Sequence, residues 1–455
     1  MRKDFRPEPM TKEQHIMASA EPAKPSLPDV PDLLDVPVSA GTPVLAISDL
    51  HLPPRRTGDS TRTCGVLAAR LAAEPGPVTV VLAGDVIELL GFPQATAAEI
   101  LREHEILCAA LTAVSARGGQ VVYAIGNHDN ELAWDIKTAD AVREMTGARL
   151  CLAADLVLPS GRKIRVEHGH QLDPYNCFDD QRNRLDTPLG HHIVRQVLPR
   201  IEWLGRDWLD GAHEMADPAD FPAFVGSRLF YRKLVRHAWW LLLLPVLLLL
   251  CLRISEIFEL QSRYPDTTRW VHGAEVLGYG AVADLIVVAV IIAIVSRRAW
   301  TAISELALAE RGYGQNRAAR QRAVDLTGDG YRGFLSGHTH HPELDKAGSG
   351  FYANTGSCTT VVEATITRPG LPPAYLRAQQ ITWVEITADR VILMAARIQL
   401  PGATRLERFA AYGHSQFSAT PVQVAAWAPG PGSIDTGSID TGGSGAGAPG
   451  GNDRP

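Results

Sequence analysis

No two of the six cysteines stand at CxxC spacing: Cys64, Cys108, Cys151, Cys177, Cys251 and Cys358 are scattered along the chain. That excludes a zinc ribbon and a thioredoxin-like redox pair, and it suits free thiols in a reducing compartment better than a disulfide framework. Basic residues are not in excess, 44 Lys and Arg standing against 50 Asp and Glu, so no general nucleic-acid-coating surface is expected. Met1–Ala20 has no apolar core, so no secretory leader is expected. Apolar residues are plentiful, at 45 % of 455. That is enough for a substantial core and excludes a wholly disordered chain.

The two ends differ from the middle. Residues 1–42 carry seven prolines and twelve charges without periodicity and read as a disordered arm. Residues 428–455 hold thirteen Gly or Pro and repeat the string SIDTG at Ser433 and Ser438; they read as a disordered tail. Between them, Val44–Ser48, Val78–Ala83 and Val121–Ile125 are short apolar runs ending in Gly or polar turns, the pattern of buried strands. Thr63–Ala73 and Ala95–Ala116 have helical spacing. Leu150–Leu158 and Lys163–Glu167 read as a hairpin around Pro159-Ser160-Gly161. Strand signals return at Tyr331–Leu335, Phe351–Asn354, Ile381–Ile386 and Val391–Ile398. This alternation predicts a layered α/β domain.

One region departs from a soluble pattern. Ala238–Leu252 reads AWWLLLLPVLLLLCL without a charge, and Val276–Val295 has a single one, Asp284. At ~1.5 Å per residue the second crosses a ~30 Å hydrocarbon layer. The first does so only if extended to about 238–254 with Arg253 snorkelling. Arg228, Arg232, Lys233 and Arg236 precede the pair and Arg297 and Arg298 follow it, which predicts a transmembrane hairpin with both flanks in the cytoplasm. Asp284 is expected to face the partner helix or another subunit. A buried soluble hairpin and a re-entrant one are the competing readings.

Five short segments carry the chemistry: Asp49-Leu-His51, Gly84-Asp85-Val-Ile-Glu88, Gly126-Asn127-His128-Asp129, His168-Gly-His170 and Gly337-His338-Thr-His340. Each directly follows an apolar strand run. Side chains at i and i+2 of a strand share a side, so Asp49 with His51, and His338 with His340, are candidates to share one metal. Carboxylate, imidazole and amide oxygen together suit Mn²⁺, Fe or Zn²⁺. A pair of metals needs a shared anionic ligand, for which Asp85 is the candidate. Gly84 and Gly126 are read as permitting sharp turns before the ligands.

In this order the motifs resemble the calcineurin-like metallophosphoesterase superfamily, over roughly residues 43–170 and 331–400. The N-x-G-S turn at Asn354–Ser357 is similar as well. The resemblance implies a four-layer β-sandwich flanked by helices, interrupted here by a helical transmembrane insertion. It implies two divalent metals, with Mn²⁺ foremost. Asp49, His51, Asp85 and His340 would hold the first, and Asp85, Asn127, His168 and His338 the second. His168 is preferred to His170 because family members commonly read HG at that point. His128 is the expected general acid, oriented by Glu88, and Asp129 is expected beside the ligands rather than among them. Arg55, Arg56, His170, Asp173 and Asn176 are candidate substrate contacts.

The expected organisation is then an arm (1–42), a catalytic domain in two parts (43–170 and 331–427), an insertion (171–330) and a tail (428–455). Leu189–Leu209 and Ala299–Arg320 are expected to lead to and from the bilayer. The expected function is hydrolysis of a phosphate ester or pyrophosphate bond, at the cytoplasmic face of the cell membrane and on a lipid-linked substrate. The pattern is similar to bacterial UDP-diacylglucosamine pyrophosphatases but departs from them in carrying His128, where they have Arg, and two apolar spans. A soluble nucleotide or phosphoprotein substrate, and a membrane scaffold of low activity, are the alternatives. Oligomeric state is not legible.

Overall fold

Val44–Ile47 (β2), Thr79–Leu82 (β3) and Gln120–Ala124 (β4) are strands whose residues are almost all buried. They lie parallel at the heart of a nine-stranded sheet in the computed structural model. That model describes residues 27–428 except 198, 201–202, 204–208, 216–219, 235–242, 264–267, 309–315, 366, 370 and 413–417, and also 435–436. Parallel strands covered on both faces can be apolar throughout, which explains their unbroken Val, Ile and Leu. Ala148–Cys151 (β5) extends the sheet beyond β4. On the other side of β2 follow Ala374–Ile386 (β12), Val391–Gln399 (β13), Val422–Trp427 (β14) and Asp435–Thr436 (β15), with Thr360–Thr365 (β11) also pairing with β12.

A second, six-stranded sheet has the order β1-β6-β7-β8-β10-β9. Its strands are Leu33–Pro37 (β1), Ala153–Val157 (β6), Lys163–Glu167 (β7), Gly333–Ser336 (β8), Glu343–Ala347 (β9) and Gly350–Asn354 (β10). Val36, Val81, Val122, Ile164, Leu335, Phe351, Val384 and Leu393 pack between the two sheets as one apolar cluster. The outer face of the larger sheet is covered by helices Gly58–Ala72 (α1), Ala97–Glu103 (α2), Glu105–Ala116 (α3) and Ile136–Thr146 (α4). Arg317–Gly328 packs Ala323 and Leu326 against Phe334 and Tyr352 on the outside of the smaller sheet. The layers are helix, sheet, sheet, helix: the α/β sandwich expected.

Several local expectations are corrected. The arm to residue 42 contains β1, which pairs in parallel with β6 from Leu33↔Ala153 to Pro37↔Val157. Pro37 is tolerated because it ends an edge strand. Residues 1–26 lie outside the described residues, as does the tail apart from Ala428 and residues 435–436, the latter two pairing with β14. Leu150–Leu158 is not one hairpin arm. The chain passes from β5 in one sheet to β6 in the other at Leu152, and only β6 forms the antiparallel hairpin with β7. Ala95–Ala116 is broken at His104, whose backbone leaves the helical region and whose Nδ1 is 2.9 Å from Ile100 O.

The insertion is anchored to the C-terminal part of the domain. Helix Phe221–Arg228 places Ala223 and Phe224 on Val362 and Tyr375. Tyr231 OH donates to Pro372 O at 2.6 Å, and buried Glu407 receives Arg228 and Arg232. Beyond it, Leu243–Arg263 and Thr268–Leu308 pack together. Arg253 pairs with Glu256 at 2.8 Å and with Asp284 across the helix pair at 3.5 Å, so Asp284 does face the partner helix. Among the described residues one helix segment, Gly278–Val295, is long and apolar enough to cross a membrane. The expected second span is not established, and its beginning at 238–242 lies outside the described residues. Of the expected Leu189–Leu209 helix, Leu189–His192 is α-helical and Ile193–Val197 follows as a π turn. Ala299–Arg320 is divided between the end of Thr268–Leu308 and the start of Arg317–Gly328.

Candidate metal centre

β2, β3, β4, β7 and β8 all release their chemistry-bearing loops at their C-terminal ends. Backbone hydrogen bonds knit these loops together: Asp49 N to Gly84 O at 3.0 Å, His51 N to Asp85 O at 3.0 Å, and Gly337 N to His168 O at 2.8 Å. Five non-glycine residues have left-handed backbones among those described: Asp49, His51, Asp85, His338 and His340. Such conformations cost of order 1–3 kcal/mol each and persist where the surroundings enforce them. All five are expected metal ligands.

The side chains gather in two adjoining groups, Asp49 with His51 and His340, and Asp85 with His168 and His338. In the first, Asp49 Oδ1 is 3.3 Å from His340 Nε2 and 3.8 Å from His51 Nε2. In the second, Asp85 Oδ2 is 3.1 Å from His168 Nε2. The same Asp85 oxygen is 3.9 Å from His51 Nε2, so this carboxylate stands between the groups. His338 and His340 fall into different groups, which corrects their reading as ligands of one metal. They follow β8 rather than continue it, and two left-handed residues turn alternate side chains apart. Asp49 and His51 do converge, but likewise through a left-handed loop rather than strand alternation.

Neighbouring groups fix the loops. Asp49 Oδ2 accepts from His338 N at 3.0 Å, and Asp85 Oδ1 from His128 N at 2.8 Å. Asn354 Nδ2 donates to Gly337 O at 2.8 Å and Thr339 Oγ1 at 3.1 Å, bracing the Gly337–His340 turn. His168 Nδ1 is 2.7 Å from Ala83 O, which turns Nε2 toward Asp85. Gly84 adopts a left-handed backbone, and a Cβ there would strike the His168 ring. Gly126 has no such backbone; its need is space, because a Cβ would meet the Asp85 carboxylate.

The residues present fit divalent metals. Asp49 Oδ1, Asn127 Oδ1 and His168 Nε2 are buried without a hydrogen-bond partner, although such atoms are normally satisfied. His51 Nε2 and His340 Nε2 lie 3.1 Å apart, close enough for both nitrogens to serve one cation. Burial opposes ionisation of Asp49 and Asp85, yet the surrounding imidazoles hold both carboxyls well below their ordinary range. Burial likewise disfavours the charged form of His168, but Asp85 and Asp49 raise it to about 9. The site thus favours positive charge between its anions. Oxygen and imidazole donors without a thiolate suit Mn²⁺, Fe or Zn²⁺.

Residues 42–225 match the family model described as calcineurin-like phosphoesterase. The chain carries a calcineurin-like phosphoesterase domain. The family comprises metal-dependent phosphoric ester hydrolases. No curated protein matches the chain. Solved structures with similarity include a conserved protein of Streptococcus pneumoniae, titled a predicted phosphoesterase, at 11 % identity and TM-score 0.26, over 85 % of this chain and 99 % of that one. A single mutant of Vps29 from Entamoeba histolytica has 13 % identity and TM-score 0.26, over 79 % and 100 %. A cold-active protein-tyrosine phosphatase of a psychrophilic Shewanella has 10 % identity and TM-score 0.28, over 82 % and 83 %.

Around the phosphoesterase centre, Glu88 does more than the sequence suggested. Its carboxylate lies 2.8 and 2.9 Å from His128 Nδ1 and 2.6 Å from His51 Nδ1. His128 is shifted upward: burial opposes its charged form, but Glu88 and Asp85 outweigh it. Asp129 lies outside both groups, accepting from Val86 N, Gly126 N and Tyr123 OH. Asp173, from the insertion, approaches His338 Nε2 at 2.9 Å and receives Asn176 Nδ2 at 2.6 Å. His170 is buried beside His168, ring centres 5.5 Å apart, with Nδ1 unpartnered.

The arginines are not brought to the centre. Arg56 Nε donates to Glu103 O at 2.9 Å, and Arg55 lines a separate cavity with Arg102 and Glu103. Free carbonyls at the end of α2 attract a guanidinium, and this accounts for Arg56 turning away. Sequence reasoning missed Asn130, Trp134, Arg184, His191 and Arg195, which line a cavity with Asn127 and His128. The double histidine His191-His192 was the one available signal.

Proposed function

We propose that the chain is a membrane-anchored two-metal phosphoesterase that hydrolyses a phosphate ester or pyrophosphate bond, with its catalytic domain in the cytoplasm and a lipid-linked substrate. The observation that carries the hydrolase reading is the strained set of five left-handed residues, confined among the described residues to the two donor groups. Asp49, His51, Asp85 and His340 would hold one ion, and Asp85, Asn127, His168 and His338 the other. Mn²⁺ is the first candidate. Bound there, the metals would supply an activated water and neutralise phosphate oxygens.

The chain's own groups do the remaining work. His128 protonates the departing oxygen from Nε2, because Nδ1 is held by Glu88. Glu88 fixes that tautomer and orients His51. Asp173 does the same for His338 through its Nε2, so the insertion bears directly on the centre. Membrane attachment is supported by Gly278–Val295, an apolar stretch left almost wholly uncovered by the protein. Exposed apolar area of that extent marks an interaction surface.

Turnover of a chromogenic phosphodiester by detergent-solubilised full chain with Mn²⁺, abolished in Asp85→Ala, tests the hydrolase. Parallel assays on dispersed lipid phosphates and soluble nucleotides test the substrate class. No turnover of any of these favours a scaffold instead. A reporter fused between residues 264 and 267 should report from outside the cell; a cytoplasmic signal overturns the hairpin topology.

A further inference from the structure

The cavity that adjoins His128 has a volume of about 250 Å³ and is walled on one side by the insertion. Two of its lining residues bear buried acceptors with nothing to accept from: Asn130 Oδ1 and His191 Nε2. These residues are 8 % and 6 % exposed. A neutral imidazole donates from one nitrogen and accepts at the other. Asn130 Oδ1, and His191 Nε2 in the tautomer protonated at Nδ1, are acceptors that a ligand O–H or N–H would satisfy. Leaving such atoms unpaired costs ~1–3 kcal/mol each.

Apart from His128, the charges in the lining are balanced, Arg184 and Arg195 against Glu131 and Asp186, so no cluster of one sign marks the cavity for an anion. Trp134 forms an apolar wall, with the Arg184 guanidinium 5.3 Å from its ring centre. The volume falls below the ~300–1,000 Å³ of pockets enclosing drug-sized ligands, so it admits a single ring rather than a whole nucleotide. Directed acceptors and balanced charge beside an aromatic wall suit a neutral group bearing several hydroxyls.

We propose that this cavity binds the leaving alcohol of the substrate, and that this alcohol is a sugar or polyol. The inference rests on the phosphoesterase reading above and narrows its substrate class. Because His128 lines the cavity, the oxygen it protonates belongs to the group held there. The P–O bond to the polyol breaks and a P–O bond to water forms. The polyol oxygen takes the His128 proton, and the attacking water's proton restores it.

The test uses full chain in detergent, with saturation-transfer NMR of free myo-inositol, glucose and cyclohexanol and their competition against chromogenic diester turnover. Myo-inositol or glucose should bind and compete at least 10-fold better than cyclohexanol, which has the ring without the extra hydroxyls. Asn130→Leu and His191→Phe should each weaken polyol binding by about 10- to 100-fold. Equal binding of cyclohexanol overturns the proposal without reliance on any variant, and so does polyol binding indifferent to both substitutions. Polyol binding by a protein that hydrolyses no phosphoester overturns the hydrolase reading and the leaving-group role but leaves a polyol site. Phosphatidylglycerol in mixed micelles, set against its deacylated counterpart, tells a lipid headgroup from a soluble polyol phosphate; release of free glycerol from either supports the assignment, whereas glycerol phosphate with diacylglycerol from phosphatidylglycerol means that the lipid alcohol leaves and overturns it.

Discussion

Replacing Glu407 tests how the insertion is held to the catalytic domain. Its carboxylate is wholly buried, with Arg228 at 1 % exposure beside it. Arg232 Nε approaches the same oxygen at 3.0 Å. Two arginines thus depend on one anion. Removing one partner of a buried pair costs ~3–5 kcal/mol, because the charge left behind stays desolvated. Glu407→Gln keeps the volume but leaves both guanidiniums uncompensated, so it should cost the full amount. Arg228→Met should cost less, since Arg232 still answers Glu407. Arg228→Met with Glu407→Leu should recover part of the loss.

At ~2–4 °C per kcal/mol for a domain of this size, Glu407→Gln should lower the melting temperature by roughly 6–20 °C in detergent at pH 7. The pH dependence has a definite sign. Burial raises the Glu407 carboxyl, but Arg228 and Arg232 outweigh it and hold the group below its ordinary 4.5. Its contribution is therefore complete above about pH 4.5 and lost as pH falls through the depressed value. Melting of the wild type should fall more steeply than that of Glu407→Gln on acidification below pH 4.5. A Glu407→Gln shift under 2 °C, or parallel acid limbs for the two proteins, would refute this account of the junction.

Other outcomes follow from the site. His128→Ala should slow hydrolysis of a poor leaving group by ~10²–10⁴-fold but that of a 4-nitrophenyl ester far less, since the latter needs no protonation; kcat on paired esters checks this. Asp173→Asn should cost ~10–100-fold in metal affinity or kcat, measured by metal titration alongside turnover. Gly84→Ala should abolish metal retention, because its Cβ collides with His168 in a left-handed backbone; metal content after gel filtration measures it.

The site was legible because its residues follow the most readable elements, buried parallel strands whose apolar runs end abruptly in Asp, Asn or His. Convergence of His168 with His338 was implied by family resemblance, not by periodicity, since 170 positions separate them. Strand alternation gave the wrong partner for His338 because a left-handed turn intervenes. β1 was hidden in a proline-rich segment, and an edge strand needs only a few pairing residues. The cavity beside His128 was not legible: Arg184, Asp186 and His191 come from chain with little regular periodicity. Their placement depends on packing against the Asn127–Trp134 loop.

Metal content of the purified full chain bears most directly on the central claim. Two equivalents of divalent metal per wild-type chain are predicted by elemental analysis after dialysis, with no more than one in Asp85→Asn, whose carboxylate joins the two groups. Fewer than two in an active wild type, or two retained in Asp85→Asn, would contradict it.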